Sequence, residues 1–525
     1  MYDIILFGDM PDLQTYGRAT GCHRLATELR EHGYTVLVID FSSYINLDRF
    51  KKITNLAVGD NTLFVGFSTQ WFPFKMEPGK YSISEPSKPH NKYQGPEASE
   101  DSIPIYFGKE IPEVLFDHIR AINPKTKIAI GGFKVYMYTH IKGVDNFFVG
   151  YSDTMIIDYA NSLSGCGPKR VFNSIIDYDK KAQNTDWDFR KSKISYVDES
   201  FILPSETLTL EVGRGCRFNC KFCSFPLIGQ KNINDYLKHE ECLYHELMDN
   251  YNKFGTHKYM IVDDTFNDST EKLEMVNRVV ARLPFKPVFW CYMRLDLITV
   301  HPEHITLAKS IGIRTVYFGI ETLSKRAGAG IGKGMPASKI TATLEKCREV
   351  WGDSVWIMGG LICGLPHDAI AEFESSCSYF DRDDSPVDHL NVTPLRIFRQ
   401  DEHMKNRFNS DFEINAEKYG YTWPHDDAWR WVKIDTDIDS YDTACALAVK
   451  WQERLDKHIK FFRFHFHTSC LLGDEFNYES LMTIKSHAEW REKFGDLDIV
   501  EAMHQQIEKE YFIPLLNFLI TRKGH

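Results

Sequence analysis

The sequence predicts an α/β protein in three parts: an N-terminal doubly wound parallel sheet, a central partial (β/α)6 barrel, and a mostly helical C-terminal region. Three observations predict it. Short apolar runs alternate with helical patterns over residues 1–165, with glycines after the runs. A second alternation begins at Thr207 and gives six strand–helix repeats. Beyond about residue 400 the alternation stops, and the tail is rich in aromatic and histidine side chains. A length of 525 residues suits two or three domains.

The first alternation reads as Rossmann-like. Asp3–Gly8, Thr35–Asp40 and Thr62–Phe67 are strands, and Gly21–His32 is a helix with Leu25, Ala26 and Leu29 on one face, ending at Gly33. Ile111–Ile122 is a second helix, Lys127–Ile130 a strand ending in Gly131-Gly132, and Phe147–Val149 a further strand. Such sheets bind ligands at the carboxyl ends of their strands. Residues 69–109 interrupt the pattern with a long insertion carrying Trp71, Phe72, Phe74, Tyr81 and Tyr93. These aromatics favour a flap over the ligand edge over a disordered insertion. Residues 166–204 are polar and read as a linker.

The barrel is expected over residues 205–400. Its strands are Leu208–Val212, Tyr259–Val262, Val288–Tyr292, Thr315–Gly319, Val355–Ile362 and His389–Val392. Its helices are Tyr236–Tyr251, Ser269–Arg282, Pro302–Ser310, Pro336–Val350 and Ala369–Phe380. Residues 401–525 are expected to form a helical lid or substrate region, dense in aromatics at Tyr419–Trp431 and Phe461–His467. Core packing is the simpler reading of that density than ligation by His465 and His467.

Composition narrows the class. Hydrophobic residues at 43% and charged residues at 26% are globular values. The net charge of −11, with no basic block, argues against a nucleic-acid partner. No basic n-region or long apolar run opens the chain, and residues 514–520 are too short to span a bilayer, so the expected compartment is the cytoplasm, with no membrane partner. Nine of the twelve cysteines are scattered singly, as reduced thiols would be.

The other three cluster. Leu208-Thr-Leu-Glu-Val-Gly-Arg-Gly-Cys216-Arg-Phe-Asn-Cys220-Lys-Phe-Cys223 places C-x3-C-x2-C on a loop directly after a strand. Thiolates suit soft metals and iron–sulfur clusters. Three cysteines hold three irons of a cubane and leave the fourth open, which a catalytic cluster needs. Structural zinc wants four ligands, and the available fourth donors, Cys242 and His239, sit on a predicted helix away from the loop.

This motif, with Phe222 before the last cysteine and after the first strand of a partial barrel, resembles the radical S-adenosylmethionine (SAM) superfamily. The resemblance extends over residues 205–400: Tyr259-Met-Ile-Val-Asp263-Asp264-Thr-Phe266, Trp290-Cys-Tyr-Met-Arg294-Leu-Asp296, Val316-Tyr-Phe-Gly319-Ile320-Glu321-Thr, Ile331-Gly-Lys333-Gly334 and Gly360-Leu-Ile362-Cys-Gly364-Leu-Pro366 match later strands and their loops. It implies a [4Fe-4S] cluster on Cys216, Cys220 and Cys223, with SAM on the open iron. Reductive cleavage of SAM then gives a 5′-deoxyadenosyl radical for C–H activation. It implies SAM contacts from Phe222, Asp263, Asp264, Arg294, Glu321, Gly360, Ile362 and Gly364, a small-molecule or peptide substrate, and an electron donor such as flavodoxin or ferredoxin. The chain departs from the family pattern where Asp263-Asp264 replace a glycine-rich tripeptide and His367 an acidic residue. Plainer readings stand beside these roles: Glu321 as a helix cap, Arg294 in a surface ion pair, Asp263 and Asp264 as turn residues, Gly360 and Gly364 as packing positions.

A Rossmann-like domain ahead of such a barrel resembles the cobalamin-binding class of the superfamily, with Gly131-Gly132 at the ligand edge. Its Asp-x-His-x-x-Gly signature is absent. The resemblance nevertheless implies, as the expected activity, cobalamin-dependent methyl transfer. The alternatives are another radical reaction with a cobalamin-free N-terminal domain, or a non-catalytic iron–sulfur or zinc protein.

Overall fold

The computed structural model describes residues 1–8, 11–12, 15–42, 45–68, 112–132, 135–139, 141–167, 171–177, 187–223, 236–397, 399, 409–424, 430–455, 489, 492 and 505–524. The 69–109 insertion with its five aromatics, and Phe461–His467 with His465 and His467, lie outside these residues.

The N-terminal sheet comprises β1 (Ile4–Phe7), β2 (Val36–Ile39), β3 (Phe64–Ser68), β4 (Lys127–Gly132), β5 (Asn146–Val149) and β6 (Ile175–Asp177). Their spatial order is β2-β1-β3-β4-β5-β6, all parallel. The order reverses between β1 and β3, and the crevice at that switch point is where doubly wound sheets take ligands. Strand alternation sends Ile5, Phe7, Leu37, Ile39, Val65 and Phe67 to one face and Ile4, Leu6, Val36, Val38 and Phe64 to the other. Helices α1 (Thr20–Glu31) and α4 (Met155–Ser164) cover the second face; α2 (Leu47–Ala57) and α3 (Pro112–Ile122) cover the first. The sheet runs past residue 165: Ile175 pairs with Phe147 inside the segment read as a linker.

The barrel strands are β7 (Thr207–Leu210), β8 (Lys258–Ile261), β9 (Val288–Met293), β10 (Ile313–Glu321), β11 (Trp356–Cys363) and β12 (His389–Pro394). They pair in sequence order, all parallel, so the barrel is open between β7 and β12. The outer face packs against α5 (Glu240–Phe254), α6 (Thr270–Arg282), α8 (Glu303–Ile311), α10 (Ala337–Trp351) and α11 (Ile370–Phe380). Two short helices the sequence pattern did not reveal, α7 (Leu295–Val300) and α9 (Lys325–Gly330), follow β9 and β10 directly. The inner face carries Met260, Trp290, Tyr292, Tyr317, Trp356 and Met358.

The C-terminal residues divide between the domains. After the single-turn α12 (Asp411–Ile414), helix α13 (Tyr441–Leu455) lies along the edge strand β12, where the Gln452 side-chain oxygen accepts from Val392 N at 2.8 Å and satisfies an edge donor. The last helix, α14 (Ile513–Gly524), returns to the N-terminal sheet: Ile507, Tyr511, Phe512, Leu515 and Leu519 are buried in that domain's core. The expected C-terminal lid is thus, over these residues, a second cover for the first domain. No helix among the described residues is long and apolar enough to cross a membrane.

Candidate functional site

The cysteine loop leaves β7 at the carboxyl end of the barrel. Gly215 has φ +96°, a backbone state open to glycine, and this turns the chain into Cys216. A side chain at Gly213 would press on Asp263, Lys272 and Tyr236 at 3.3–3.4 Å. Cys216 and Cys220 are buried and Cys223 half-buried. Burial pushes the Cys216 thiol up, so the free thiolate is disfavoured unless a cation meets it. Three thiolate donors on one loop, two buried and one half-buried, fit a cluster that keeps an open position.

The consecutive aspartates after β8 separate. Asp263 faces the loop's backbone: its Oδ1 accepts from Val212 N at 2.8 Å and its Oδ2 lies 2.6 Å from Lys272 Nζ. Lys272 also donates to the Thr265 carbonyl at 3.0 Å, and Tyr236 donates to Asp268 at 2.6 Å. This buried set holds the cysteine loop to β8, so Asp263 is engaged in building the site. Asp264 is different. Its Oδ2 is buried with no hydrogen-bond partner among the described residues, and burial, reinforced by Asp263, pushes the carboxyl up to about 7. Thr265 Oγ1 lies 3.5 Å from Cys216 Sγ.

Arg294, at the end of β9, donates from Nη1 to Cys220 Sγ at 3.1 Å. Asp296 grips the other side of its guanidinium at 3.0 and 2.6 Å, and the Phe218 ring lies 3.9 Å from it. It is thus neither on the surface nor free, but set against a candidate cluster ligand. Glu321 closes β10 with φ +64°, uncommon for a non-glycine residue, at a bulge against β11. Its carboxylate pairs with Lys333 at 2.9 Å, and Lys333 also donates to the Gly319 carbonyl at 2.9 Å. The cap of α9 is Ser324, so Glu321 has no capping role.

The fifth-strand positions split as well. A side chain at Gly360 would meet the Tyr317 hydroxyl at 2.2 Å, inside the barrel. Ile362 is half-buried and pairs with Thr393 of β12. Gly364, at φ +91°, faces Trp431 of the C-terminal region, which a side chain would meet at 2.8 Å, and Tyr421 donates to its carbonyl. It is a packing position away from the inner face. Phe222 is half-buried, with Lys333 Nζ 5.9 Å from its ring. On the N-terminal sheet, Gly132 has φ +145° and needs glycine, whereas a side chain at Gly131 would make only ordinary contact with Phe148.

Sequence reasoning missed the residues between the domains. Tyr151 and Asp153, just beyond the carboxyl end of β5, reach Arg214, two residues before Cys216. The carboxyl ends of the two sheets therefore meet. The available signal was Gly213-Arg214-Gly215, a charged residue flanked by two tight glycines directly before the first cysteine.

The Radical SAM superfamily model matches residues 210–378. An uncharacterized methyltransferase of Pyrococcus horikoshii, PH0819, is 28% identical over 167 residues, 32% of this chain and 35% of that protein. The match thus spans about a third of that relative. Among solved structures, the radical SAM methyltransferase TsrM of Kitasatospora setae, with cobalamin and a [4Fe-4S] cluster bound, superposes with TM-score 0.53 at 13% identity, over 81% of this chain and 76% of that one. The apo cobalamin-dependent SAM radical enzyme OxsB gives TM-score 0.50 at 14% identity, over 80% and 56%. At these identities the likeness is one of fold, and it covers both sheets. The matched cysteine loop, the six parallel strands and the family model agree: the chain carries a radical SAM domain.

Proposed function

We propose that the chain is a cobalamin-dependent radical SAM methyltransferase, acting on an unactivated carbon of a small molecule or peptide and drawing electrons from a flavodoxin- or ferredoxin-like donor. The observation that carries this reading is the meeting of the two carboxyl edges at Tyr151, Asp153 and Arg214. A group bound at the N-terminal edge then faces whatever the cysteine loop holds. When bound, the cluster and SAM supply reductive C–S cleavage, and cobalamin supplies a methyl carrier. Cys216, Cys220 and Cys223 are the cluster ligands in this reading. Arg294 supports Cys220 and steadies the loop. Glu321 and Lys333, held in a strained corner of the inner face, orient SAM, with Gly360 and Ile362 on the adenine side. Asp264 offers the mouth a carboxyl that titrates near neutrality. The aromatic inner wall excludes water from the reacting carbon.

A second reading, radical chemistry with a cobalamin-free N-terminal domain, has one observation in its favour: the sequence lacks Asp-x-His-x-x-Gly. One experiment separates the two. Protein reconstituted anaerobically and incubated with hydroxocobalamin is expected to keep near one corrinoid per chain after desalting, and Gly132→Trp to lose it. SAM and reductant should then yield 5′-deoxyadenosine or S-adenosylhomocysteine. A wild type emerging without corrinoid would leave the second reading; absence of any SAM product would remove both.

Glu321→Ala is expected to weaken SAM binding about tenfold, the scale of losing one charged hydrogen-bonding partner, while iron content stays at the wild-type value. Isothermal titration with SAM on the reconstituted protein checks it. Unchanged affinity would make the Glu321–Lys333 pair purely structural.

A further inference from the structure

We propose that Arg214 is a positioning residue that fixes the separation between the N-terminal ligand edge and the cysteine loop. The inference deepens the reading above and rests on it for the identity of the ligand, though not for the geometry.

Arg214 is buried and reaches into both domains. Its Nη1 and Nη2 donate to Asp153 at 2.8 and 3.3 Å, across the domain boundary. Its Nε and Nη2 donate to Glu211 at 2.8 and 3.3 Å, on its own side. Glu211 is in turn gripped by Arg24 of α1, whose Nε and Nη2 reach its Oε2 at 2.9 and 2.6 Å. Arg24 also donates to Ser192 at 2.9 Å. Carboxylates and guanidinia thus run Asp153–Arg214–Glu211–Arg24, crossing between the domains and back. Tyr151, Phe189 and Trp187 set their rings 4.2, 4.5 and 5.6 Å from the Arg214 guanidinium. Aromatic faces on a cation and two carboxylates on its donors leave the side chain one orientation.

The position of this chain of charges gives it its consequence. Asp153 follows β5 by four residues, at the edge where a doubly wound sheet takes its ligand. Arg214 precedes Cys216 by two, and Gly215 between them has a fixed left-handed turn. A shift of Asp153 is therefore passed to the first cluster cysteine through one rigid side chain. Lysine would keep the charge, but a single ammonium cannot present a planar fork to two carboxylates at once. Packing alone would not need three buried ion pairs at one seam, because burying charge costs free energy unless every partner is met.

The test measures the separation itself. The full chain with Cys242, Cys445 and Cys470 replaced by serine is first reconstituted with iron and sulfide, so that Cys216, Cys220 and Cys223 are occupied, and only then spin-labelled anaerobically at the exposed Cys166 of the N-terminal domain. Relaxation of the nitroxide by the reduced cluster reports the distance between domains with no corrinoid present. A narrow distance distribution is expected for Arg214, a broad one for Arg214→Gln, and an intermediate one for Arg214→Lys, with iron content constant. Hydroxocobalamin affinity should fall about tenfold in Arg214→Gln, within the range of coupling energies between sites. Asp153→Asn cuts the same link from the other domain and serves if Arg214→Gln does not fold. A wild-type distribution in Arg214→Gln, or in Asp153→Asn in that case, overturns the proposal. A wild type that binds no corrinoid overturns the functional reading instead, and the distance comparison still decides this one.

Discussion

Replacing Cys216, Cys220 and Cys223 together with alanine is expected to abolish iron binding while leaving the fold intact. The wild type, reconstituted anaerobically, should take up about four irons and four sulfides and show the broad blue absorption of a cluster that dithionite bleaches. The three side chains lie on a loop outside the β7–β12 ladder, and their neighbours Asp263, Lys272 and Tyr236 hold that loop without them. The variant should therefore keep the wild-type far-ultraviolet spectrum and melting temperature while losing iron, colour and all SAM cleavage. Iron retained in the triple variant would sink the cluster assignment. Loss of the melting transition would mean the loop is needed for folding, and single substitutions would then be compared.

The second large effect is expected at Arg18. It is fully buried, with Glu206 at 2.5 and 2.9 Å and Asp40 at 3.2 Å, and it stacks over Phe41 and Tyr511. Arg18→Met keeps most of the stem and removes the charge, stranding two buried carboxylates. Breaking a buried pair this way costs about 3–5 kcal/mol, a large part of a domain's typical stability. For a domain of this size the melting temperature should fall by about 10 °C in calorimetry. Adding Glu206→Gln and Asp40→Asn to Arg18→Met should recover much of the loss, because no unpaired charge then remains; a triple variant as unstable as the single one would refute the mechanism. The wild type should also lose stability in acid. Burial acts to raise the Asp40 carboxyl, but His23 and Arg18 outweigh it and bring it to about 2. A depressed carboxyl stabilises the fold above its unfolded value, so that contribution fades as pH falls from about 4 to about 2.

Local pattern made the neighbourhoods of the twelve strands in the two six-stranded sheets readable unevenly. The barrel strands and their five long helices follow period-two and period-3.6 spacing, and the structure has them within a few residues of those spacings. Strand β6 is three residues in a polar stretch, held by pairing with β5, which no local signal encodes. Helices α2 and α4 carry apolar faces and stop just before Gly59 and at Gly165, yet the sequence pattern separates neither from its surroundings. Asp263 and Asp264 are one word in the sequence. Only the turn of the chain after β8 sends one to the loop backbone and Lys272 and leaves Oδ2 of the other without a hydrogen-bond partner among the described residues. Gly364 resembles Gly360 in sequence, yet its neighbour is Trp431, sixty-seven positions on. The seam residues Arg18, Arg24, Arg214 and Asp153 were invisible because each has its partner in a different domain or on a distant segment.

The return of α14 to the first domain orders events on the ribosome. Residues 1–68 and 112–177 emerge early, but one face of their sheet is completed by Tyr511, Phe512, Leu515 and Leu519, synthesised only after the barrel. Tyr511 also accepts from Asp40 N at 2.9 Å, beside the Arg18 ion pairs. Throughout synthesis of the barrel the nascent first domain therefore carries an uncovered apolar surface and an incomplete buried charge site. Its maturation waits on the segment that follows the barrel, so a chain cut between the two would leave a finished barrel tethered to a domain that cannot close.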